Sequence, residues 1–363
     1  VGVFFTSSLK NAIFVVMNVD YIIVGCGLAG ISFAETLRNA KKSFVVIDNA
    51  SQRSSLVAAG MYNPVILKRF SEVWKAQEQL EIALPFYKEL ELILNKKIDY
   101  KLSVLRRFAS IEEQNMWFHA TDNPVLEPFL STSLVHNYNS CIDAPFGFGE
   151  VLNAGRIDTD VLLEEYVNYL KNEGVFFNES FNYAELNSEK SIISYKGITA
   201  KHIVFCEGFG LKANPYFNHL PLNGTKGELI TIKVPDLKID FSLKASVFLI
   251  PEGNDIYSVG ATYNWEDKTN QPTHEAREEL VAKVKTFLKC SFEVIGQKAG
   301  IRPTVKDRRP LVGSHNKYKN IHVLNGLGTR GVMIGPYVAG QLYNNIEEGA
   351  SLNPEIDISR FIS

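Results

Sequence analysis

The sequence predicts an α/β fold, α+β overall once its later β-rich stretch is counted, and three observations predict it. Near the start, the apolar run Tyr21 to Val24 is followed by Gly25, Gly27 and Gly30 in G-x-G-x-x-G spacing. Ile31 to Arg38 then reads as a helix, with apolar Ile31, Ala34 and Leu37 at three-residue spacing, and a second apolar run, Ser43 to Ile47, ends at Asp48. Buried-type strands return far downstream, at Val175 to Asn178 and Lys201 to Cys206. Finally, Ile321 to Leu324 leads into another glycine-rich turn, Gly326 to Gly331, and a closing helix.

The first unit has strand, tight turn, helix, strand and acid in the order that a Rossmann-like dinucleotide fingerprint requires. Gly25 permits the tight turn. Gly27 lets a pyrophosphate approach the backbone, and Gly30 lets helix and strand pack closely. The helix N-terminus offers free N–H groups and partial positive charge to phosphates. Asp48 lies 18 residues beyond Gly30, well placed to accept hydrogen bonds from a ribose diol. The motif alone does not separate NAD from FAD.

Composition sets bounds. The 363 residues suffice for two domains, or for one domain with a large insertion. Apolar residues make up 45% and charged residues 21%, as in ordinary globular proteins. A formal net charge of −2 exerts no overall pull toward nucleic acid or anionic membrane. The four cysteines, at 26, 141, 206 and 290, form no C-x-x-C pair, which suits a reducing cytoplasm. No apolar stretch reaches the ~18 residues of a membrane span. Residues 1–16 read as an N-terminal extension, with Met17 as the expected natural start. The histidines show no metal-ligand spacing, and no metal is expected.

Taken in order, Asn49 to Ala59 is rich in Ser and Ala and closes at Gly60, a loop small enough to let backbone approach a cofactor. A long helix is expected over Ser71 to Asn95, with Leu80, Leu84, Tyr87, Leu90 and Leu94 on its apolar face and Pro85 within it. Strands follow at Tyr100 to Ala109 and Leu134 to Ile142, with an acidic, amide-rich segment between them. Asp158 or Thr159 caps a helix over Asp160 to Lys171, which Gly174 ends. Phe181 to Leu186, Ser191 to Tyr195 and Ile198 to Thr199 read as a short meander. Lys226 to Ile232 opens a second β-rich stretch, in which Ser246 to Ile250 and Ile256 to Ala261 flank a hairpin turn. Thr273 starts a helix over His274 to Lys289, and another spans Ile334 to Ile346. The dinucleotide unit is thus interrupted by a long insertion and then resumed.

The C-terminal glycine turn cannot hold the same pyrophosphate in the same way. Its helix N-terminus suits the electron-rich edge of a reduced flavin, whose charge near N1–C2=O a helix dipole stabilises. Two such turns at opposite ends of the chain favour FAD over NAD.

Several motifs occur together in order: the N-terminal fingerprint, Ala58-Ala59-Gly60, Arg156-Ile157-Asp158, Cys206-Glu207-Gly208, Lys226-Gly227-Glu228, Gly300-Ile301-Arg302-Pro303 and Gly326-Leu327-Gly328-Thr329-Arg330-Gly331. In this the chain resembles the FAD-dependent D-amino-acid oxidase / glycine oxidase superfamily over about residues 18–350. The C-terminal turn looks most like that of the FAD oxidase domain of the bifunctional tRNA wobble-uridine modification enzyme; in glycine oxidases the arginine usually stands one position earlier.

The resemblance implies an FAD-binding domain interleaved with a substrate domain built on an antiparallel sheet. The first takes residues 17–85, 145–225 and 300–363, and the second 86–144 and 226–299. It implies oxidation of a C–N bond by hydride transfer to flavin, with an amino acid or related small amine as partner. Cofactor contacts are expected from Gly25, Gly27, Leu28, Ala29, Gly30, Asp48, Ser55, Ala59, Gly60, Gly208, Gly326, Gly328, Thr329, Arg330, Gly331 and Val332. The Val175 backbone is expected to hold the adenine. Arg302 matches the carboxylate-binding arginine, whose guanidinium fork suits bidentate binding. Tyr263 is a candidate hydrogen-bond donor to substrate, Arg330 a candidate contact to substrate or flavin, and Lys226 a weaker candidate near the flavin. Oxidative removal of a carboxymethyl group from tRNA is the alternative, which the near-neutral charge disfavours. A non-catalytic dinucleotide-binding protein is the reading from another class.

Overall fold

The computed structural model describes residues 17–52, 54–57, 59–188 and 192–361. The expected extension and start at Met17 concern residues 1–16, which lie outside the described residues, as does Ala58.

The strand Met17–Val24 is central in a seven-stranded sheet because both of its faces are covered. Tyr21, Ile22 and Ile23 are fully buried, which is why the run is apolar throughout rather than alternating. It pairs in parallel with Phe44–Asp48 on one side and Ile198–Phe205 on the other. Phe176–Asn178 extends the sheet beyond Phe44–Asp48, and Ile321–Asn325 beyond Ile198–Phe205, both in parallel. Leu311–Ser314 closes that edge antiparallel, and Ile193–Tyr195 pairs antiparallel with the start of Ile198–Phe205.

The α-helices among the described residues are α1 (Leu28–Asn39), α2 (Ala76–Leu94), α3 (Ile111–Thr121), α4 (Thr159–Asn172), α5 (His274–Lys285) and α6 (Gly331–Glu348); α1 and α6 pack side by side on one face, with α2 against α6. The opposite face is covered by Leu211, Phe217, Leu220 and Leu222. A second, eight-stranded sheet is largely antiparallel. Its central part is Glu293–Arg302, Thr225–Lys233, Ile256–Gly260 and Phe248–Gly253, and its far part is Ser242–Lys244, Val104–Arg107, Phe148–Val151 and Leu130–Val135. Leu280 and Val284 of the helix His274–Lys285 bury against Ile230, Leu249 and Val259.

Several expectations shift at their edges. Phe148–Val151, read as part of the first domain, pairs instead with Val104–Arg107 in the second sheet. The expected helix over 71–95 begins only at Ala76, because Ser71–Glu72 is used as a short strand against Val65–Ile66 and Lys75 is left-handed. The single strand expected at Tyr100 to Ala109 is two strands, Asp99–Lys101 and Val104–Arg107, in different sheets. The acidic segment after Ala109 is a helix, Ile111–Thr121, whose N-cap Ser110 accepts from the Glu113 N–H. The strand expected at Leu134 to Ile142 is Leu130–Val135. In the expected meander, 183–185 is a 3-10 turn, while Ile198–Phe205 is one continuous strand. The ten-residue strand Glu293–Arg302 went unread: only three of its residues are buried and two glycines interrupt its apolar pattern.

Candidate active site

The chain leaves Val24 and turns so tightly that only glycine fits. Gly25 has φ +103°, and a Cβ there would stand 2.5 Å from the Cys206 carbonyl oxygen. A Cβ on Gly30 would stand 2.0 Å from the Gly25 carbonyl oxygen. Gly27 is extended and caps α1 without a side-chain bond. Ser55 lies over that end: its Oγ accepts from the Leu28 N–H at 3.3 Å, and a Cβ on Gly27 would stand 3.1 Å from it. The N–H groups of Ala29 and Gly30 are buried and donate to no described residue. Buried orphan donors at a helix start form a cradle for an anionic group. Asp48 closes the next strand, and its carboxylate accepts from the Ala50 N–H at 3.1 Å. Burial raises its pKa, against the opposing pull of backbone N–H groups that include Cys26 in the glycine turn.

The second glycine turn reaches the same place. Asn325 ties it down: its Oδ1 accepts from the Gly326 N–H at 2.7 Å, and its Nδ2 donates to the Gly208 carbonyl at 2.9 Å. The Gly328 N–H donates to the Pro303 carbonyl at 3.2 Å. Gly328 is left-handed, with open space where a Cβ would be. A Cβ on Gly331 would stand 2.9 Å from Leu28 Cδ1, and one on Gly335 2.7 Å from Ser32 Oγ. The starts of α1 and α6 therefore lie side by side, although more than 300 residues separate them. The Val332 carbonyl is occupied by the Tyr87 hydroxyl, at 2.9 Å, and Thr329 is exposed.

Arg302 ends the strand Glu293–Arg302 beside this turn. Its guanidinium lies across Gly227 on the neighbouring strand, where a Cβ would stand 1.9 Å from Nη2. Nη1 donates to the Thr262 carbonyl at 3.2 Å, and the Tyr263 ring centroid is 4.6 Å from Cζ. Arg302 has no acidic partner among the described residues, and neither does Arg330, the N-cap residue of α6. Burial lowers the proton affinity of both guanidiniums. Half-buried cations without counter-ions make this a place for an anion.

The expected residues are not all brought together. Lys226 is buried and spends its ammonium within the protein, on Asp267 at 2.5 Å and Glu228 at 3.3 Å, so it pins the 264–273 loop. Gly60, at φ +68°, is clamped between strands: a Cβ there would stand 1.8 Å from the Ile157 carbonyl oxygen, and Ala59 precedes it. The expectation for Val175 needs correction. Its N–H donates to Leu170 and its carbonyl accepts from Val46, which places it before the start of Phe176–Asn178. Asp48 is level with Asn178 at the other end of that strand pair, so a nucleotide at Asp48 meets the residues after Asn178. Ser180 there already accepts a bond from Asn49 at 2.8 Å.

Gly227, Asn325 and Glu207 were missed in sequence. Glu207 is half-buried beside the first glycine turn, bonded to the Tyr183 hydroxyl and to Asn214 Nδ2, and desolvation pushes its carboxyl up to about 7. A lone glycine between charged residues gives no sign that an arginine from another strand lies on it.

Fold and site together define an α/β protein of the dinucleotide-binding type: a parallel sheet with a glycine turn and unpartnered N–H groups at the start of α1, a second sheet carrying Arg302, and a C-terminal glycine turn between them. The family described as "DAO: FAD dependent oxidoreductase" matches residues 20–343, and the chain belongs to that family. It is an FAD-dependent enzyme. It is 23% identical to the glycine oxidase of Bacillus subtilis (strain 168) over 362 residues, covering 93% of this chain and 95% of that one. It is also 23% identical over 146 residues, 39% of this chain, to the tRNA 5-methylaminomethyl-2-thiouridine biosynthesis bifunctional protein MnmC of Campylobacter jejuni subsp. jejuni; the match spans 24% of that protein. The crystal structure of glycine oxidase from Geobacillus kaustophilus superposes with a TM-score of 0.76 at 17% identity, covering 95% of this chain and 98% of that one.

Proposed function

We propose that the chain oxidises the C–N bond of a small amine or amino acid that carries a carboxylate. One observation carries this reading: the Arg302 guanidinium, laid across Gly227 with no acid of its own, beside the C-terminal glycine turn.

The residues present fit FAD. The buried, unpartnered N–H groups of Ala29 and Gly30 suit its pyrophosphate, with Gly25, Gly27, Leu28 and Ser55 shaping that cradle. Asp48 suits a ribose. Ala59, Gly60, Gly208 and the turn from Gly326 through Gly328, Thr329, Arg330 and Gly331 to Val332 would surround the rest. When bound, FAD supplies a two-electron acceptor for the hydride that leaves the carbon next to nitrogen.

The chain's own residues bind and orient. Arg302 holds the carboxylate through its fork, and Tyr263 lies over the guanidinium on the solvent side. Fixing the carboxylate fixes the adjacent carbon, which is where orientation lowers a barrier most. The cations Arg302 and Arg330 also disfavour a third positive charge, so the bound amine is more readily held neutral, with its lone pair free to assist hydride loss. The C–H electron pair leaves as hydride, the nitrogen proton goes to water, and water hydrolyses the resulting imine. No buried general base is required.

The enzyme is proposed to work in the cytoplasm, a reducing setting that the four free thiols suit. Among the described residues, no helix is long and apolar enough to cross a membrane. The test is anaerobic reduction of the bound flavin by a panel of amino acids and N-substituted glycines. Rapid bleaching by at least one of them, abolished in Arg302→Gln with FAD retained, is expected. A flavin that dithionite reduces but no amine does would overturn the proposal.

A further inference from the structure

A second cation without an acid stands on the same sheet face as Arg302. Leu243 and Leu249 lie opposite each other in the second sheet and are buried with Leu280 and Val284 of α5. Side chains alternate along a strand, so the next pair, Lys244 and Phe248, points to the other face. Phe248 packs there against the core that holds α1 and α6, so this face meets the parallel sheet's domain. The pairing runs on from Phe248 to Gly260 and from Gly260 to Leu229. Two residues along the strand from Leu229, and therefore on the same face, is Gly227, across which the Arg302 guanidinium lies.

Lys244 is half-buried, and its ammonium has no hydrogen bond or ion pair to a described residue. Its Nζ stands 4.7 Å from the centroid of the Phe248 ring. The charged groups around it are cations already in use. Arg106, opposite Lys244 on the strand Val104–Arg107, is paired with Glu113 of α3 and donates to the Ala245 carbonyl at 3.0 Å. Lys283 of α5 is paired with Glu279 at 2.5 Å. Burial, joined by the like charges of Arg106 and Lys283, brings the Lys244 ammonium down to about 8. A cation held out of water over an apolar ring, with no acid of its own, is a place for an anion.

The spacing of the two cations limits that anion. Strands lie about 4.8 Å apart and rise about 3.4 Å per residue, so Gly227 and Phe248 are roughly 12 Å apart along the sheet face. Charge-assisted hydrogen bonds of about 2.8 Å at each end leave about 6 Å between the anionic oxygens of one ligand. Carbon–carbon bonds of about 1.5 Å fill that gap with about three carbons between two carboxylates.

We propose that Lys244 is a second carboxylate-binding group of the same site, so that the preferred substrate is an acidic α-amino acid of glutamate length, with its α-carboxylate on Arg302 and its side-chain carboxylate on Lys244. The inference rests on the proposed amine oxidation for the reaction, but not for the binding.

The probes are glutarate and its mono-amide, which have the same length and differ by one charge. They are titrated into the FAD-loaded protein, following perturbation of the flavin bands. Both enantiomers of glutamate and glutamine are compared as anaerobic reductants of the same flavin. Half-saturation is expected at a concentration at least ten-fold lower for glutarate than for its mono-amide. In Lys244→Met the preference is expected to fall to within two-fold while the mono-amide binds as before, and Lys244→Arg, which restores the charge, is expected to keep most of it. In the parent protein the preference is also expected to fall as pH rises from about 7 to about 9, because the ammonium loses its proton and the Arg302 guanidinium does not. Should Lys244→Met lose its FAD, that pH dependence decides, and a preference unchanged over this range overturns the subsite. Equal binding of the two probes by the parent, or a preference unaltered in Lys244→Met, overturns the subsite while leaving amine oxidation standing. If no amino acid bleaches the flavin, a glutarate preference that Lys244→Met loses keeps the subsite and sinks the oxidation reading, and no band shift with either probe sinks the subsite too.

Discussion

Gly227→Ala is the sharpest perturbation of the carboxylate clamp, because it leaves Arg302 in place and moves only its guanidinium. The new Cβ would stand 1.9 Å from Nη2, 2.1 Å from Cζ and 2.3 Å from Nη1. Ordinary contact needs about 3.4 Å, so the guanidinium must shift by roughly 1.5 Å. A hydrogen bond near 2.9 Å does not survive such a shift. Losing one charge-assisted bond costs about 1.5–3 kcal/mol, which weakens carboxylate binding about 10- to 100-fold. The backbone is spared: Gly227 has no left-handed φ, and the atoms it meets are the far end of a flexible side chain. The assay is the dissociation constant of a carboxylate ligand, read from perturbation of the flavin bands, with FAD content and melting temperature as controls. A Gly227→Ala protein that keeps its FAD, melts like the parent and binds the same carboxylate within two-fold refutes the clamp. Arg302→Lys provides the second reading, since an ammonium cannot copy the fork and is expected to weaken binding at least as much.

The other predictions concern the cofactor end and the fold. Gly30→Ala meets a backbone carbonyl at 2.0 Å, which no rotamer relieves; it should cost about 3 kcal/mol or more and yield protein without flavin, checked by absorbance and melting. Lys226→Met strands Glu228 and Asp267 without their cation and should destabilise by about 3–5 kcal/mol, read by urea unfolding. Glu207 holds its proton to about pH 7 when folded, against 4.5 as an ordinary carboxyl. The native state thus binds more protons between those values, so this group's contribution falls as pH rises from about 4.5 to 7, by up to about 3 kcal/mol. Glu207→Gln should flatten that part of the stability profile; a parent and variant with parallel profiles over pH 4.5–8 would rule this out.

How much of the site could be read in sequence depended on whether its parts are neighbours in the chain. The N-terminal cradle was legible because strand, turn and helix are contiguous: Gly25 and Gly30 are demanded by backbone contacts within one turn or with the adjacent strand. The helix Ile111–Thr121 was equally local and still went unread, although Ser110 and Glu113 stand at capping-box spacing. Val175 was misplaced for a different reason. Composition shows that a strand is near but not which of its ends faces the ligand; the pairing of Asn178 with Asp48 decides that.

Arg302 was singled out by the resemblance to a family; the sequence by itself determined the dinucleotide unit, the return of its strands after an insertion and the second glycine turn. These follow from backbone conformations and burial patterns that a few adjacent residues express. Only the tertiary structure decided that Gly331 rests on Leu28, that the Arg302 guanidinium lies on Gly227, and that Lys226 is consumed by Asp267 and Glu228. Each of these is a contact between segments far apart in the chain. Such contacts are set by how two sheets and their helices pack, and no local periodicity records them.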